Sequence, residues 1–195
     1  MGQETQRIHI LIITGLSGAG KSQAVNCLED MGYYCVDNLP PALLNKIVEL
    51  SLQSEGKIDK VALVIDVRGG EFFNDLSQAL QELKEAHIPF EILFLEASNE
   101  VLVRRFKESR RRHPLAGNRS LLEAIQLERD MLEELRGQAN VVVDTSTLDP
   151  RELKEKLQNQ FSQYQTHPFT VNLVSFGYKA GIPMDSDLVF GQPIL

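Results

Sequence analysis

The chain has 195 residues, enough for one compact domain with a sizeable core, and its 43% hydrophobic and 24% charged residues are the proportions of a globular protein. No apolar run approaches the roughly 18 residues of a membrane span, and the N-terminus lacks a signal segment, so no membrane partner is expected and a cytoplasmic location is. A formal net charge of −7 argues against broad polyanion binding, and Cys27 and Cys35, the two cysteines, lack disulfide or metal-ligand spacing.

Apolar runs bounded by turn residues alternate with segments of helical period, the pattern of strand-helix units in a parallel sheet. Ile8 to Thr14 predicts a buried strand, and Lys21 to Met31 a helix with Ala24, Val25, Leu28 and Met31 on one face. Tyr33 to Val36 predicts a short strand ending at Asp37. Pro40 and Pro41 suit a first helical turn, with Leu43, Leu44, Ile47 and Leu50 as its apolar face. Val61 to Ile65 is a strand ending on Asp66, followed by Val67, Arg68 and Gly69. Phe72, Leu76, Leu80 and Leu83 mark a helix, and Pro89 to Leu95 a fourth strand. Asn99 to about Arg111 predicts a helix with Val101, Leu102 and Phe106 inward, and Leu121 to Leu135 another. Val141 to Val143 is a fifth strand, running into Asp144-Thr145-Ser146. Thr147 or Asp149 caps a last helix carrying Leu153, Leu157 and Phe161. Beyond His167, Val171 to Phe176 reads as a strand without a following helix, and Gly177, Gly181, Pro183 and Pro193 break up the rest. The expected organisation is one α/β domain over residues 1–165 and the opening of a second over 166–195.

Gly15-Leu16-Ser17-Gly18-Ala19-Gly20-Lys21-Ser22 fits G-x-x-x-x-G-K-[ST] in full, a match expected by chance on the order of once in a hundred chains of this length. A strand enters it and a helix leaves it, so loop N–H groups and the positive helix end converge on one anion. The glycines let the backbone curl around phosphate oxygens, Lys21 reaches the β- and γ-phosphates, and Ser22 offers a hydroxyl to Mg²⁺. The fold class is therefore a P-loop NTPase with a central parallel sheet, and the ligand a purine nucleoside triphosphate.

Four further features end strands or cluster charge. Asp66 lies where a Walker-B carboxylate belongs and either joins the magnesium shell through water or caps a turn. Asp37 is a general base or metal partner, or an Asx-type cap. Asp144-Thr145-Ser146 contacts base or ribose, or caps its turn. Arg104, Arg105, Lys107, Arg110, Arg111 and Arg112 face one acid, Glu108. They form a lid over the nucleotide, an RNA or partner patch, or a solvated face. The four histidines, His9, His87, His113 and His167, show no spacing for a metal or a triad.

These strings, together with Asp37-Asn38-Leu39-Pro40, Asp66-Val67-Arg68, Arg110-Arg111-Arg112-His113-Pro114-Leu115 and Ser175-Phe176-Gly177-Tyr178-Lys179-Ala180-Gly181-Ile182-Pro183, resemble the RapZ/YvcJ family of P-loop nucleotide-binding proteins along about the whole chain. The resemblance implies an adenylate-kinase-like three-layer domain with weak ATPase and GTPase activity. It implies that Asp66, Val67, Arg68 and Gly69 form a second site associated with guanine nucleotide. In that family a C-terminal domain follows, and in its name-giving member that domain carries RNA binding, presentation of a small RNA to an RNase, and sensing of an amino-sugar phosphate. This chain ends at Gly191-Gln192-Pro193-Ile194-Leu195, so that domain is expected to be barely begun here.

Three functions compete. The first is a regulatory protein that binds ATP and GTP with Mg²⁺ and hydrolyses them slowly, with Lys21, Asp37 and Asp66 at the chemistry, Gly15 to Ser22, Asp66 to Gly69, Arg110 and Arg111 on the nucleotide, and Ser22 and Asp66 on the metal. The second is a small-molecule kinase. The third is an RNA- or protein-binding adapter that uses nucleotide as a conformational ligand, contacting its partner mainly through the further domain. A homo-oligomer is compatible with all three.

Overall fold

The computed structural model describes residues 8–54, 57–66, 70–162, 174–177 and 188–191; the side chains of 70–74, Phe72 among them, lie outside the description. Contacts divide the chain into two units, Met1–Gln165 and Thr166–Leu195.

In the first unit, β1 (His9–Gly15), β2 (Tyr34–Val36), β3 (Lys60–Val64), β4 (Glu91–Glu96) and β5 (Val141–Asp144) form one parallel sheet in the order β2-β3-β1-β4-β5. Strands buried on both faces must be apolar throughout rather than alternating. That is why Ile10 to Ile13 and Val61 to Val64 are continuous hydrophobic runs, none more than 1% exposed. β1 lies at the centre, pairing Ile13 with Val64 on one side and Gly15 with Leu95 on the other.

Among the described residues, α1 (Lys21–Asp30), α2 (Leu44–Leu52), α3 (Gly70–Glu85), α4 (Asn99–Ser109) and α5 (Leu121–Gly137) fill the crossovers, and α6 (Pro150–Phe161) follows β5. Parallel connections are right-handed. The step from β1 across β3 to β2 therefore puts α1 on one face, while the steps back toward β3, β4 and β5 put α2 to α5 on the other. Consistent with this, α1 packs on α6, α4 and α3 on α5, and α2 on α3. The result is the three-layer α/β arrangement that the family resemblance implies. No described helix is long and apolar enough to cross a membrane.

Three expectations need correction. The buried face of α2 is Leu44, Val48 and Ser51 with Ile47 partly buried against the core, while Leu43 and Leu50 are about half exposed. A 3-10 turn over Pro41–Leu43 delays the helix start, and the tighter winding rotates the buried stripe. α4 ends at Ser109, because Arg110 adopts a left-handed conformation (φ 51°) that closes the helix. In the second unit the described residues 174–177 are not in a strand; positions 171–173 of that expected strand lie outside the described residues.

Both cysteines are free. Burial pushes both thiols up, Cys35 to about 12, which leaves them protonated and poorly nucleophilic at neutral pH.

Two glycines make a paired test of backbone constraint. A Cβ at Gly15 (φ 127°) would sit 2.0 Å from the Leu95 carbonyl oxygen, whereas one at Gly137, at the end of α5, meets nothing within 4 Å. Gly15→Ala should cost on the order of 3 kcal/mol and lower Tm by roughly 6–12 °C. Gly137→Ala should gain about 0.5–1 kcal/mol. Thermal denaturation of both variants checks the contrast.

Candidate functional site: a phosphate loop and the strand ends around it

The loop between β1 and α1 begins with Gly15 facing Leu95 so closely that only glycine fits, and Leu16 N–H then donates to the same Leu95 carbonyl (3.0 Å). Gly18 (φ 84°) and Gly20 (φ 101°) supply the left-handed turns that curl the chain back on itself. Ala19 N–H bonds inward to Leu16 O (3.0 Å). The N–H groups of Gly18, Gly20, Lys21 and Ser22 have no acceptor among the described residues.

The helix that follows differs from its neighbours. α4, α5 and α6 start on Ser98, Ser120 and Asp149, whose side chains accept first-turn N–H groups, and each has a glutamate in its first turn. α1 starts on Gly20, with no side-chain cap and no first-turn acid. Its N-terminal dipole and orphan donors are left for an external anion.

Lys21 folds back over the loop, donating to Gly15 O (2.7 Å) and Leu16 O (3.0 Å) and pairing with Asp66 Oδ1 at 3.2 Å. Asp66 leaves the end of β3 one strand away, and Ser22 is exposed at the first turn of α1. A hydroxyl and a carboxylate are the hard oxygen donors that suit Mg²⁺, a cation that takes its remaining ligands from water and phosphate. The described residues contain no cluster of three or more His, Cys, Asp or Glu that would form an all-protein metal cage.

Beside the loop lies a cavity of about 280 Å³ whose lining includes Gly20, Arg105, Thr145, Leu148, Pro150 and Leu153. Thr145 is buried and its hydroxyl lies 2.9 Å from Ala19 O and 3.1 Å from Glu96 O. The Arg105 guanidinium reaches Gly18 O (3.0 Å), Thr145 Oγ1 (3.0 Å) and Thr145 O (2.8 Å), joining α4, the loop and the end of β5. The cavity thus has an apolar wall on the β5–α6 side and a cationic plane on the α4 side.

The family model for the RapZ-like N-terminal domain matches residues 8–165. The chain belongs to that family. A nucleotide-binding protein of Syntrophomonas wolfei is 68% identical over 189 residues, covering 97% of this chain and 64% of that protein. A nucleotide-binding protein of Heliobacterium modesticaldum is 57% identical, covering 96% and 63%. The chain therefore spans somewhat less than two thirds of the length of these relatives. Among solved structures, shikimate kinase from Acinetobacter baumannii aligns with a TM-score of 0.52 at 16% identity, over 81% of this chain and 96% of that one. The tunicamycin resistance protein of Deinococcus radiodurans aligns at 0.52 with 19% identity, over 79% and 95%. At such identities the likeness is one of fold, and it agrees with the three-layer α/β arrangement described above.

Within the RapZ-like domain, Asp37 is exposed at the end of β2 and accepts the N–H of Asn38 (2.7 Å), itself left-handed at φ 53°. Asp144 caps its own turn through the backbone and hydroxyl of Ser146, and those hydrogen bonds hold its carboxyl below the ordinary range. Thr145 and Arg105 hydrogen-bond to loop carbonyls, at Ala19 and Gly18. Val67, Arg68 and Gly69 lie outside the described residues. Of the arginine run, Arg104 pairs with Glu108 and Arg112 bonds to Gly117 O, while Arg110 and Arg111 are exposed and make no ion pair with a described residue.

Sequence reasoning missed Glu128 and His113. Glu128, 3% exposed, accepts Ser17 N–H (2.9 Å), Ser17 Oγ–H (2.6 Å) and His113 Nε2 (3.2 Å). A signal was present: Glu128 falls on the buried stripe of α5 with Ala124, Ile125, Leu132 and Leu135, a position where an unpartnered carboxylate would be very costly.

At the end of β4, Glu96 receives two hydrogen bonds from Arg136 (2.6 and 2.9 Å) with Arg129 4.0 Å away, and the Arg136 bonds hold its carboxyl below the ordinary range against partial burial. A carboxylate depressed in the folded state binds fewer protons there than in the unfolded chain. The stability it adds is present above the unfolded value of about 4.3 and is lost as pH falls through the folded one. Arg136→Gln should therefore lower Tm at pH 7, and the gap to wild type should close below about pH 4. Melting curves across pH 3 to 7 measure it.

Proposed function

We propose that this RapZ-like domain binds ATP and GTP with Mg²⁺ at Gly15 to Ser22 and hydrolyses them slowly in a regulatory role. The observation that carries this reading is the set of four unaccepted N–H groups at Gly18, Gly20, Lys21 and Ser22, gathered at an uncapped helix start beside the Lys21 ammonium. A single phosphate group satisfies all of them, and few other ligands do.

The Mg²⁺ would be held by Ser22 and, through water, by Asp66. When bound, it neutralises charge on the β- and γ-phosphate oxygens. Lys21 must then exchange the Gly15 and Leu16 carbonyls for phosphate oxygens. The purine is placed in the cavity between Arg105 and the Leu148–Pro150–Leu153 wall, where a flat aromatic ligand buries apolar surface and stacks on a guanidinium. Arg110 and Arg111, exposed just after α4 and making no ion pair with a described residue, are the cations offered to the transferring phosphoryl group. Asp37 and the Asp66 to Gly69 segment complete the proposed site.

Nucleotide binding is supported by the relatives, which are named nucleotide-binding proteins; the regulatory role, rather than a metabolic kinase activity, is part of the proposal. Residues 1–165 are assigned as the nucleotide-binding domain and 166–195 as the opening of the next, through which an RNA or protein partner would act. Cytoplasmic residence and self-association belong to the same proposal.

Calorimetric titration with MgATP and MgGTP tests it. Removing a charged hydrogen-bond donor to phosphate costs about 1.5–3 kcal/mol, so Lys21→Ala should weaken affinity at least about tenfold. Ser22→Ala should weaken the magnesium-dependent part alone. Wild-type affinity in Lys21→Ala would overturn the site. Phosphate release without transfer to any of a panel of metabolites separates hydrolysis from kinase action.

A further inference from the structure

Ser17 is the loop residue turned away from the proposed phosphate position. Its N–H and its hydroxyl both donate to Glu128, a carboxylate fixed in the middle of α5. Placing a buried negative charge behind an anion-binding loop is electrostatically unfavourable unless that charge does something the loop needs. The hydrogen bonds show what it does: by taking the Ser17 N–H out of the cradle, Glu128 sets the direction of the loop just before Gly18, the first residue of the open N–H set.

The same carboxylate reaches a second segment. Leu115 N–H donates to His113 Nδ1 (3.1 Å), which leaves the His113 proton on Nε2, 3.2 Å from Glu128 Oε2. His113 is buried and follows Arg110, Arg111 and Arg112 directly. Its ring packs on Phe106 with centroids 5.0 Å apart, and a Cβ on Gly18 would come within 3.3 Å of the Phe106 ring. Beside the Arg105–Gly18 hydrogen bond, the arginine segment thus approaches the loop by a polar route through Glu128 and by the ring of Phe106 next to Gly18.

We infer that Glu128 is a positioning residue for the phosphate loop and, through His113, ties its geometry to the arginine segment, so that nucleotide affinity depends on the Ser17–Glu128–His113 hydrogen bonds. The inference rests on the nucleotide reading above. The bonds themselves suggest discriminating variants. Glutamine at 128 can place its carbonyl oxygen where Oε2 accepts from Ser17 N–H and His113, and its amide can donate to Ser17 Oγ. Alanine leaves all three donors unpaired. Asparagine at 113 keeps an acceptor near Nδ1 for Leu115 and loses the reach to Glu128.

The experiment is titration of MgATP and MgGTP into wild type, Lys21→Ala, Glu128→Ala, Glu128→Gln, His113→Asn and the double variant Glu128→Ala/His113→Asn, with a melting curve for each. Glu128→Ala should weaken affinity by about tenfold or more, and Glu128→Gln by less than about threefold. His113→Asn should weaken affinity in the wild-type background and cost nothing further once Glu128 is alanine. If Glu128→Ala does not melt cooperatively, Ser17→Ala and His113→Asn, which each remove one bond to the carboxylate, replace it. Binding that Lys21→Ala abolishes but that is unchanged in Glu128→Ala, or in both replacements, overturns the inference and leaves the nucleotide site standing. A lower Tm with unchanged affinity has the same meaning, because it shows Glu128 supporting the fold alone. Failure of the wild type to bind either nucleotide overturns both.

Discussion

Gly15 stands opposite Leu95 in the β1–β4 ladder, and the 2.0 Å that would separate any Cβ from the Leu95 carbonyl oxygen governs the geometry of the site. The central strand can run flush against its neighbour only because its last residue has no side chain. Its backbone then turns at φ 127°, a conformation that L side chains rarely adopt, and Leu16 N–H closes on the Leu95 carbonyl. From that anchor the loop needs two more left-handed glycines to arrive at Lys21 with its donors facing one point.

The sheet order supplies the remainder. β3 and β4 flank β1, so whatever ends those strands lies beside the loop: Asp66 after β3, in contact with Lys21, and Glu96 at the end of β4. Ligands of open parallel sheets gather at this carboxyl edge because strand ends and helix starts meet there. Thr145, following β5 two positions from β1, reaches the loop by bonding to Ala19 O, and Arg105 crosses from α4 to hold the same pair of elements. The loop is braced from three sides, by Leu95, by the Thr145–Arg105 pair and by Glu128, while its N–H face stays open.

Much of this was legible in the residues. The continuous apolar runs marked buried parallel strands, the Walker string marked the loop, and the ends of the principal elements fell within a few positions of those observed, because helix caps and strand-ending turns are local chemistry. The misses share a cause. The stripe on α2 shifted because a 3-10 turn changed the helical phase, a difference invisible to a count of apolar spacings. Val171 to Phe176 has strand-like composition, but residues 174–177 are not in a strand, because strand propensity is overridden by which segments pack together. Glu128 and His113 are 15 residues apart in the chain and looked unrelated; Ser17 is 111 residues from Glu128.

The sequence by itself determined the glycine loop with its lysine and serine, the α/β class and the family. Glycine at a forced turn, lysine and serine at fixed offsets, and a strand running into a helix are all constraints that operate within a dozen residues. Only the tertiary structure decided the strand order β2-β3-β1-β4-β5, the choice of Thr145 and Arg105 as braces, and the buried carboxylate behind the loop. Those depend on which distant surfaces pack together. A buried charge such as Glu128 announces only that it must have partners, and the fold chooses which.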